Sequence, residues 1–348
     1  MRPVNRSDKM KPRHFYGHVL LGAGASVHAG YPLASNLGNE LRKWLHATKT
    51  SDHEHRIHID QIHEFYGGLG NIEEILTDLD ECLPGSLAAT IPTHIRPLLL
   101  SGFREATREF FNDIRQRPAP LYNQLARERI KPDDVVVTFN YDMACKRELR
   151  QTGLWEVGDG YGFSLGLGSI PPSQVKLLKP HGSTNWFGLY FRGRLGFSQF
   201  SSVLDSRPTL YFRPDVEFLG YSNGIADPQG VGIHQSSGLS AMIMPTLHKR
   251  FYVPITGGSR EWEPFWDDIW SQAEQALQSS AKIVIVGYSM PTADERAIEL
   301  LLKHSNPDAE ILVFSGSRTN AICEDFRKSG FQTVISFGQG YFADYLNA

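Results

Sequence analysis

Cysteine is scarce in this chain of 348 residues: there are three, Cys82, Cys145 and Cys323, far apart and without a C-x-x-C pair. That spacing argues against a four-thiolate zinc module and leaves the three as small core residues. Long apolar runs are missing as well. No stretch approaches the roughly 20 residues that cross a bilayer, and Met1-Arg2-Pro3-Val4-Asn5 leads into polar sequence without a secretory apolar core. The expectation is a soluble, cytoplasmic protein with no membrane partner. Excess charge of one sign is also absent, since the net charge is −3 and the isoelectric point about 6.5. Without an overall basic surface, nucleic acid is not expected as the primary ligand. His53, His55, His58 and His63 crowd one polar segment, but their spacing is loose and no cysteine is near. They read as a solvated helix or loop, and no metal is expected. No internal repeat or low-complexity tract occurs.

What is present is a set of short β-branched runs bounded by Gly, Pro or Asp: Val19 to Leu21, Val135 to Phe139, Ile283 to Val286 and Ile311 to Phe314. Such runs suit strands covered on both faces. Helical patterns separate them over Leu37 to His46, Ile72 to Cys82, Phe103 to Arg115, Tyr122 to Arg129, Trp262 to Ser279, Ala293 to His304 and Thr319 to Lys328. The alternation predicts an α/β fold, a Rossmann-like parallel sheet with helices on both faces. Two stretches interrupt it. Residues 47–132 carry helical patterns without a buried strand and read as a helical insertion. Residues 187–239, rich in Gly, Ser, Phe and Tyr, read as loops with short hairpins. The length fits one elaborated domain over 1–348.

Several strand ends carry chemistry, where open α/β sheets bind ligands. Gly22-Ala23-Gly24-Ala25-Ser26 follows the first strand, and its glycines would let a diphosphate approach the backbone, with Ser26 adding a hydroxyl. No Lys or Arg follows closely, so backbone donors would carry most of the charge compensation. Thr138-Phe139-Asn140-Tyr141-Asp142 ends the second strand. The Asn140 amide can hold a water or a ribose hydroxyl, while Asp142 can accept from a carboxamide or steady a developing cation. Equally, the pair can cap the helix Met143 to Arg150. Lys179-Pro180-His181-Gly182-Ser183 exposes an imidazole in a turn, with a pKa range suited to proton transfer. Further on, Gly287-Tyr288-Ser289 and Ser315-Gly316-Ser317 could meet an adenosine and a ribose, and Asp294 could cap the next helix.

In their order these motifs resemble the sirtuin (silent information regulator) superfamily, whose NAD-binding motifs run G-A-G-x-S, T-Q-N-x-D, H-G and G-T/Y-S. The matching residues are Gly22 to Ser26, Thr138 to Asp142, His181-Gly182 and Gly287-Tyr288-Ser289. The resemblance implies that Asn140 positions the water or ribose, His181 is the general base and Asp142 holds the nicotinamide carboxamide. It also implies NAD contacts from Gly22, Ala23, Gly24, Ser26, Pro32, Thr138, Gly287, Ser289 and Ser315. The chain departs from the family's protein deacylases. It lacks their zinc cysteines, it has Gly30-Tyr31-Pro32-Leu33-Ala34-Ser35 where they have G-I-P-D-F-R, and Phe139 replaces a glutamine. Phe-Asn-Tyr-Asp and His-Gly-Ser-Thr-Asn-Trp are closer to sirtuin-like NAD-consuming effectors of bacterial antiphage defence. That implies an NAD glycohydrolase, with NAD as substrate and no metal, acting in abortive infection. A homo-oligomer and a partner such as a HerA-type ATPase are further implications. A lysine deacylase and a non-catalytic NAD or ADP-ribose sensor are the alternatives.

Overall fold

The computed structural model describes residues 17–48, 53–163, 171–189, 210–212, 219–221, 239–244, 246 and 263–348. Six strands form one sheet: β1 (Gly17–Leu21), β2 (Val135–Thr138), β3 (Lys176–Leu178), β8 (Lys282–Val286), β9 (Glu310–Phe314) and β10 (Thr333–Ser336). Their spatial order is β10-β9-β8-β1-β2-β3, and every neighbouring pair is parallel. After its first residue, each of β1, β8 and β9 is buried without alternation, as strands covered on both faces require. Counted within this sheet alone, the arrangement is the 3-2-1-4-5-6 order of the doubly wound dinucleotide folds. The chain leaves β1 to one side for β2 and β3, then returns to the other side for β8, β9 and β10. Loops after β1 and β8 therefore diverge at the sheet's centre, which opens a crevice at their carboxyl ends.

Between β1 and β2 the described chain is helical: α1 (Ala34–Ala47), α2 (His53–Tyr66), α3 (Ile72–Glu81), α4 (Arg96–Ile114) and α5 (Pro120–Gln124), with a π turn at Leu125–Arg129. Leu41, Leu45, Ile59, Ile62, Leu76, Leu99 and Phe103, at helical spacings, bury the facing stripes of α1 to α4 against one another. The histidine segment is part of α2. His55 is buried there beside Glu109 of α4, so the segment is a packed helix rather than a fully solvated one.

The sequence expectation misses a second sheet. It is antiparallel, in the order β6-β5-β4-β7, from β4 (Gly182–Leu189), β5 (Leu210–Phe212), β6 (Leu219–Tyr221) and β7 (Leu239–Ile243). Ser183, expected in the turn that carries His181, and the three residues after it, Thr184 to Trp186, lie early in its longest strand and are all buried. They lack the β-branched run that announces a strand, and long-range pairing supplies what local propensity does not. Within the expected loop and hairpin segment, residues 190–209, 213–218 and 222–238 lie outside the described residues, as do Met1 to Asn5 and Trp262. The remaining helices are α6 (Ala144–Gln151), α7 (Glu263–Ser279), α8 (Glu295–Leu302), α9 (Thr319–Lys328) and α10 (Phe342–Asn347). Among the described residues no helix is long and apolar enough to cross a membrane.

Candidate functional site

A cavity of about 450 Å³ opens at the central crevice, within the size range of small-molecule sites. Ala23, Gly24 and Ser26 line it from the β1 end, Phe139 to Asp142 from the β2 end, His181 from the β3 end, and Gly287 to Ser289 from the β8 end. The helical insertion closes the remaining side with Asn71, just before α3, with Ile72 and Glu73 of α3 and with Phe111 of α4. Pro32 lines it also. Three of the expected contacts do not reach the wall: Gly22, Thr138 and Ser315 are absent from the lining. Thr138 instead supports the site from behind, its hydroxyl accepting from the Asn140 N–H at 3.1 Å and donating to the Leu21 carbonyl at 3.3 Å.

The glycines of the first turn serve the backbone rather than a free diphosphate cradle. The Gly22 N–H donates to Val286 O, the Gly24 N–H to Gly287 O and the Ala25 N–H to Gly22 O, each at 2.9 Å. A Cβ on Gly22 would lie 2.4 Å from Tyr288 Cα, and one on Gly287 would lie 2.2 Å from Ala25 N. Gly287 also has φ of +63°, a left-handed conformation that strains any residue with a side chain. The two glycine-bearing turns thus lock against each other, and three amides that might have met phosphate are already engaged.

Ser26, 1% exposed, is likewise committed. Its single proton goes to Asp142 Oδ2 at 2.6 Å. The other two contacts of its oxygen must then be accepted ones, from Tyr122 O–H at 2.8 Å and Asn140 Nδ2 at 2.9 Å. The expected hydroxyl donor for phosphate is therefore spent inside the protein. Asp142 is similarly occupied: Oδ2 accepts from Ser26 and Oδ1 from the Ala144 N–H at 2.9 Å, at the start of α6. Asp142 lies on the cavity wall while its oxygens fix the turn that leads into α6.

Asn140 is the residue this network orients. Its Nδ2 donates to the Gly22 carbonyl at 2.8 Å as well as to Ser26. A carbonyl only accepts, so the amide has one orientation, and Oδ1 is the atom left over. That oxygen is buried and accepts no hydrogen bond from the described residues. A buried acceptor without a donor costs roughly 1–3 kcal/mol, and a ligand or water hydroxyl would remove that cost.

His181 faces the same cavity, 3% exposed. Phe139 stacks obliquely on the imidazole with centroids 4.5 Å apart, and Trp270 of α7 lies 6.0 Å away. Several hydrogen bonds tie its loop to the asparagine loop. Lys179 Nζ donates to Asp142 O at 2.6 Å, and Thr184 N to Tyr141 O at 3.0 Å. Burial lowers the Lys179 ammonium to about 8, against the pull of Asp142 in the other direction. The lysine is a buried strut between two site loops, a role that nothing in its sequence context marks.

Sequence reasoning missed the parts played by Asp294, Tyr288, Tyr122 and Glu73. Asp294 occupies the N-cap position of α8, yet its carboxylate makes no capping bond. It accepts from Tyr288 O–H at 2.7 Å and lies 3.2 Å from His181 Nε2. Burial beside Asp294 pushes the Tyr288 phenol well above its ordinary range, so it stays protonated as a donor. The glycine and proline that bracket the run Gly287-Tyr288-Ser289-Met290-Pro291 are the sequence signal of this bend, in which Met290 also takes a positive φ. Tyr122 and Glu73 belong to the helical insertion, where helical periodicity gives no sign of which residues turn toward the sheet.

Among the described residues the cavity wall carries the carboxylates of Glu73, Asp142 and Asp294 and no Lys or Arg. No group of His, Cys, Asp and Glu among those residues is placed to hold a metal ion. The wall suits a ligand with cationic character at its reacting end. Comparison of the chain with protein-family models and with curated proteins finds no match.

Proposed function

We propose that the chain is an NAD glycohydrolase that cleaves the bond between nicotinamide and ribose C1′, releasing nicotinamide and ADP-ribose. The observation that carries this reading is the uncommitted Oδ1 of Asn140, held in one orientation on the same cavity wall as His181. An oriented acceptor beside an imidazole matches what the reaction needs: a fix on water or ribose hydroxyl, and a base. The wall's carboxylates add favourable electrostatics for a ribosyl centre with oxocarbenium character. Nicotinamide departs as a neutral base, so little acid catalysis is required. Asn140 and His181 keep the roles that the sirtuin resemblance implies, whereas Asp142, whose oxygens accept from Ser26 and from the Ala144 N–H, acts through the turn it stabilises. Ala23, Gly24, Pro32, Gly287 and Ser289 are the proposed contacts to the rest of the NAD molecule.

Unrestrained NAD loss would harm the host cell, so the proposal includes control by a partner or trigger in antiphage defence. A homo-oligomer or a HerA-type ATPase are the candidate regulators. Incubating the pure protein with NAD, alone and with candidate partners, and separating the products by chromatography tests the reading. Nicotinamide and ADP-ribose should appear, and His181→Ala or Asn140→Ala should lower the rate about 100- to 10,000-fold. Equal rates in the folded variants remove those residues from the mechanism. Tight NAD binding without products, once partners are present, replaces the enzyme by a sensor. A requirement for acyl-lysine peptide replaces it by a deacylase.

A further inference from the structure

We propose that Asp294 is a positioning residue that holds the His181 imidazole with its proton on Nε2, leaving the lone pair of Nδ1 as the base; as a role in catalysis this rests on the NAD-cleaving reading above. Three buried side chains form the relay. Tyr288 O–H donates to Asp294 Oδ2 at 2.7 Å, and Asp294 Oδ1 stands 3.2 Å from His181 Nε2. The His181 and Asp294 side chains are 4% and 2% exposed, so water does not screen the pair. Their distance is that of a hydrogen bond, although the N–H direction is off line and neither atom meets bonding geometry. Catalytic hydrogen bonds are often misaligned before substrate binds and tighten in the complex.

The carboxylate has only acceptors to offer, so the imidazole nitrogen facing it must be the one that carries hydrogen. Phe139 restrains the ring from one side at 4.5 Å, which limits the swing that would break the pairing. A water oxygen forms a bond to C1′, the C1′–N bond breaks with its electron pair going to the nicotinamide nitrogen, and the water's proton passes to His181 Nδ1. The imidazolium formed is steadied by Asp294. An aspartate in this place thus does for the base what a histidine's carboxylate partner does in hydrolytic triads.

Asp294→Asn tests the assignment, because it preserves size and removes charge. Tyr288 O–H favours the amide oxygen at the old Oδ2 position, which turns the NH₂ group toward His181. Nε2 must then accept, and the proton moves to Nδ1. Selective ¹⁵N-histidine labelling, with the His181 signals assigned by their loss in His181→Gln, reads the tautomer directly. In the wild type the spectrum should show Nε2–H, in Asp294→Asn Nδ1–H. The turnover number for NAD should fall roughly 100- to 10,000-fold in that variant, with KM little changed. Tyr288→Phe keeps the carboxylate and should keep the wild-type tautomer. An unchanged tautomer in Asp294→Asn overturns the proposal, as does a switch without loss of turnover, or the same switch in Tyr288→Phe. A switch in a protein whose wild type releases no nicotinamide under any partner condition upholds the orientation of His181 by Asp294 and removes the cleavage reading.

Discussion

Replacing Gly287 by alanine should loosen the crevice at its centre. The residue has φ of +63°, and a Cβ there would lie 2.2 Å from Ala25 N and 2.6 Å from Gly24 C. Alanine in a left-handed conformation costs roughly 1–2 kcal/mol. Both clashing atoms are backbone, so the β1 turn must move by about an ångström or more, an overpacking cost of about 1–3 kcal/mol. Separation of the turns also strains the Gly24 N–H to Gly287 O bond, 2.9 Å long and worth about 1 kcal/mol. The expected total is about 4 kcal/mol, or about 6 °C in Tm for a chain of this size. Gly330 supplies the internal control. It has φ of +97°, but a Cβ at that position would meet nothing within 4 Å, so Gly330→Ala should cost the conformational strain alone, about 2 °C. Differential scanning calorimetry at matched pH compares the two, and turnover in the proposed NAD cleavage is measured alongside. Because the displaced turns line the cavity, Gly287→Ala should lose turnover and Gly330→Ala should not. Equal Tm losses in the two variants would refute the claim that contact between the turns, rather than backbone conformation, requires glycine at 287.

Ser26→Ala removes the shared node of Tyr122, Asn140 and Asp142, and should destabilise the fold by about 3 kcal/mol because buried partners are left unsatisfied; urea unfolding measures this. A rise in KM for NAD without loss of stability would instead make Ser26 a phosphate ligand. His18 is buried and neutral, its Nδ1 accepting the Val135 N–H at 3.1 Å, and burial lowers its pKa to about 4. The unfolded chain takes up this proton near pH 6.5, so the stability contributed above that pH should fall as pH drops from about 6.5 to 4, by about 3 kcal/mol. A His18→Gln variant should lose that slope in chemical denaturation at stepped pH, and an unchanged slope would assign the titration elsewhere. Thiol labelling of the native protein should modify half-buried Cys82 before Cys145 and Cys323, whose thiols burial pushes up. Mass spectrometry of tryptic peptides after short exposure to iodoacetamide reads the order, and equal rates would contradict it.

The helical insertion takes part in the site. Its helices α3 and α4 deliver Ile72, Glu73 and Phe111 to the cavity wall. Tyr122 of α5 reaches the Ser26 hydroxyl beneath Asn140. Any partner that shifts these helices would act on the site directly, through walls and hydrogen bonds already in contact with it.

The sequence by itself determined the α/β alternation and four of the six parallel strands, β1, β2, β8 and β9, because β-branched runs bounded by Gly, Pro and Asp report burial on both faces locally; the short edge strands β3 and β10 fall outside those runs. It also placed Asn140, His181 and the Gly22 and Gly287 turns at strand ends, since residues just beyond a parallel strand's carboxyl end fall on one edge of the sheet. Which atoms of those residues stay available was decided only by tertiary structure. The Ser26 proton, the Asn140 amide hydrogens and two of the glycine amides are consumed by partners far away in the chain, Asp142, Gly22, Val286 and Gly287 among them, and no local pattern encodes such pairings. For the same reason Asp294 read as a helix cap. A carboxylate before a helix looks identical in sequence whether it turns back to its own amides or outward to an imidazole, and only the packing of β3's loop against α8 fixes the choice.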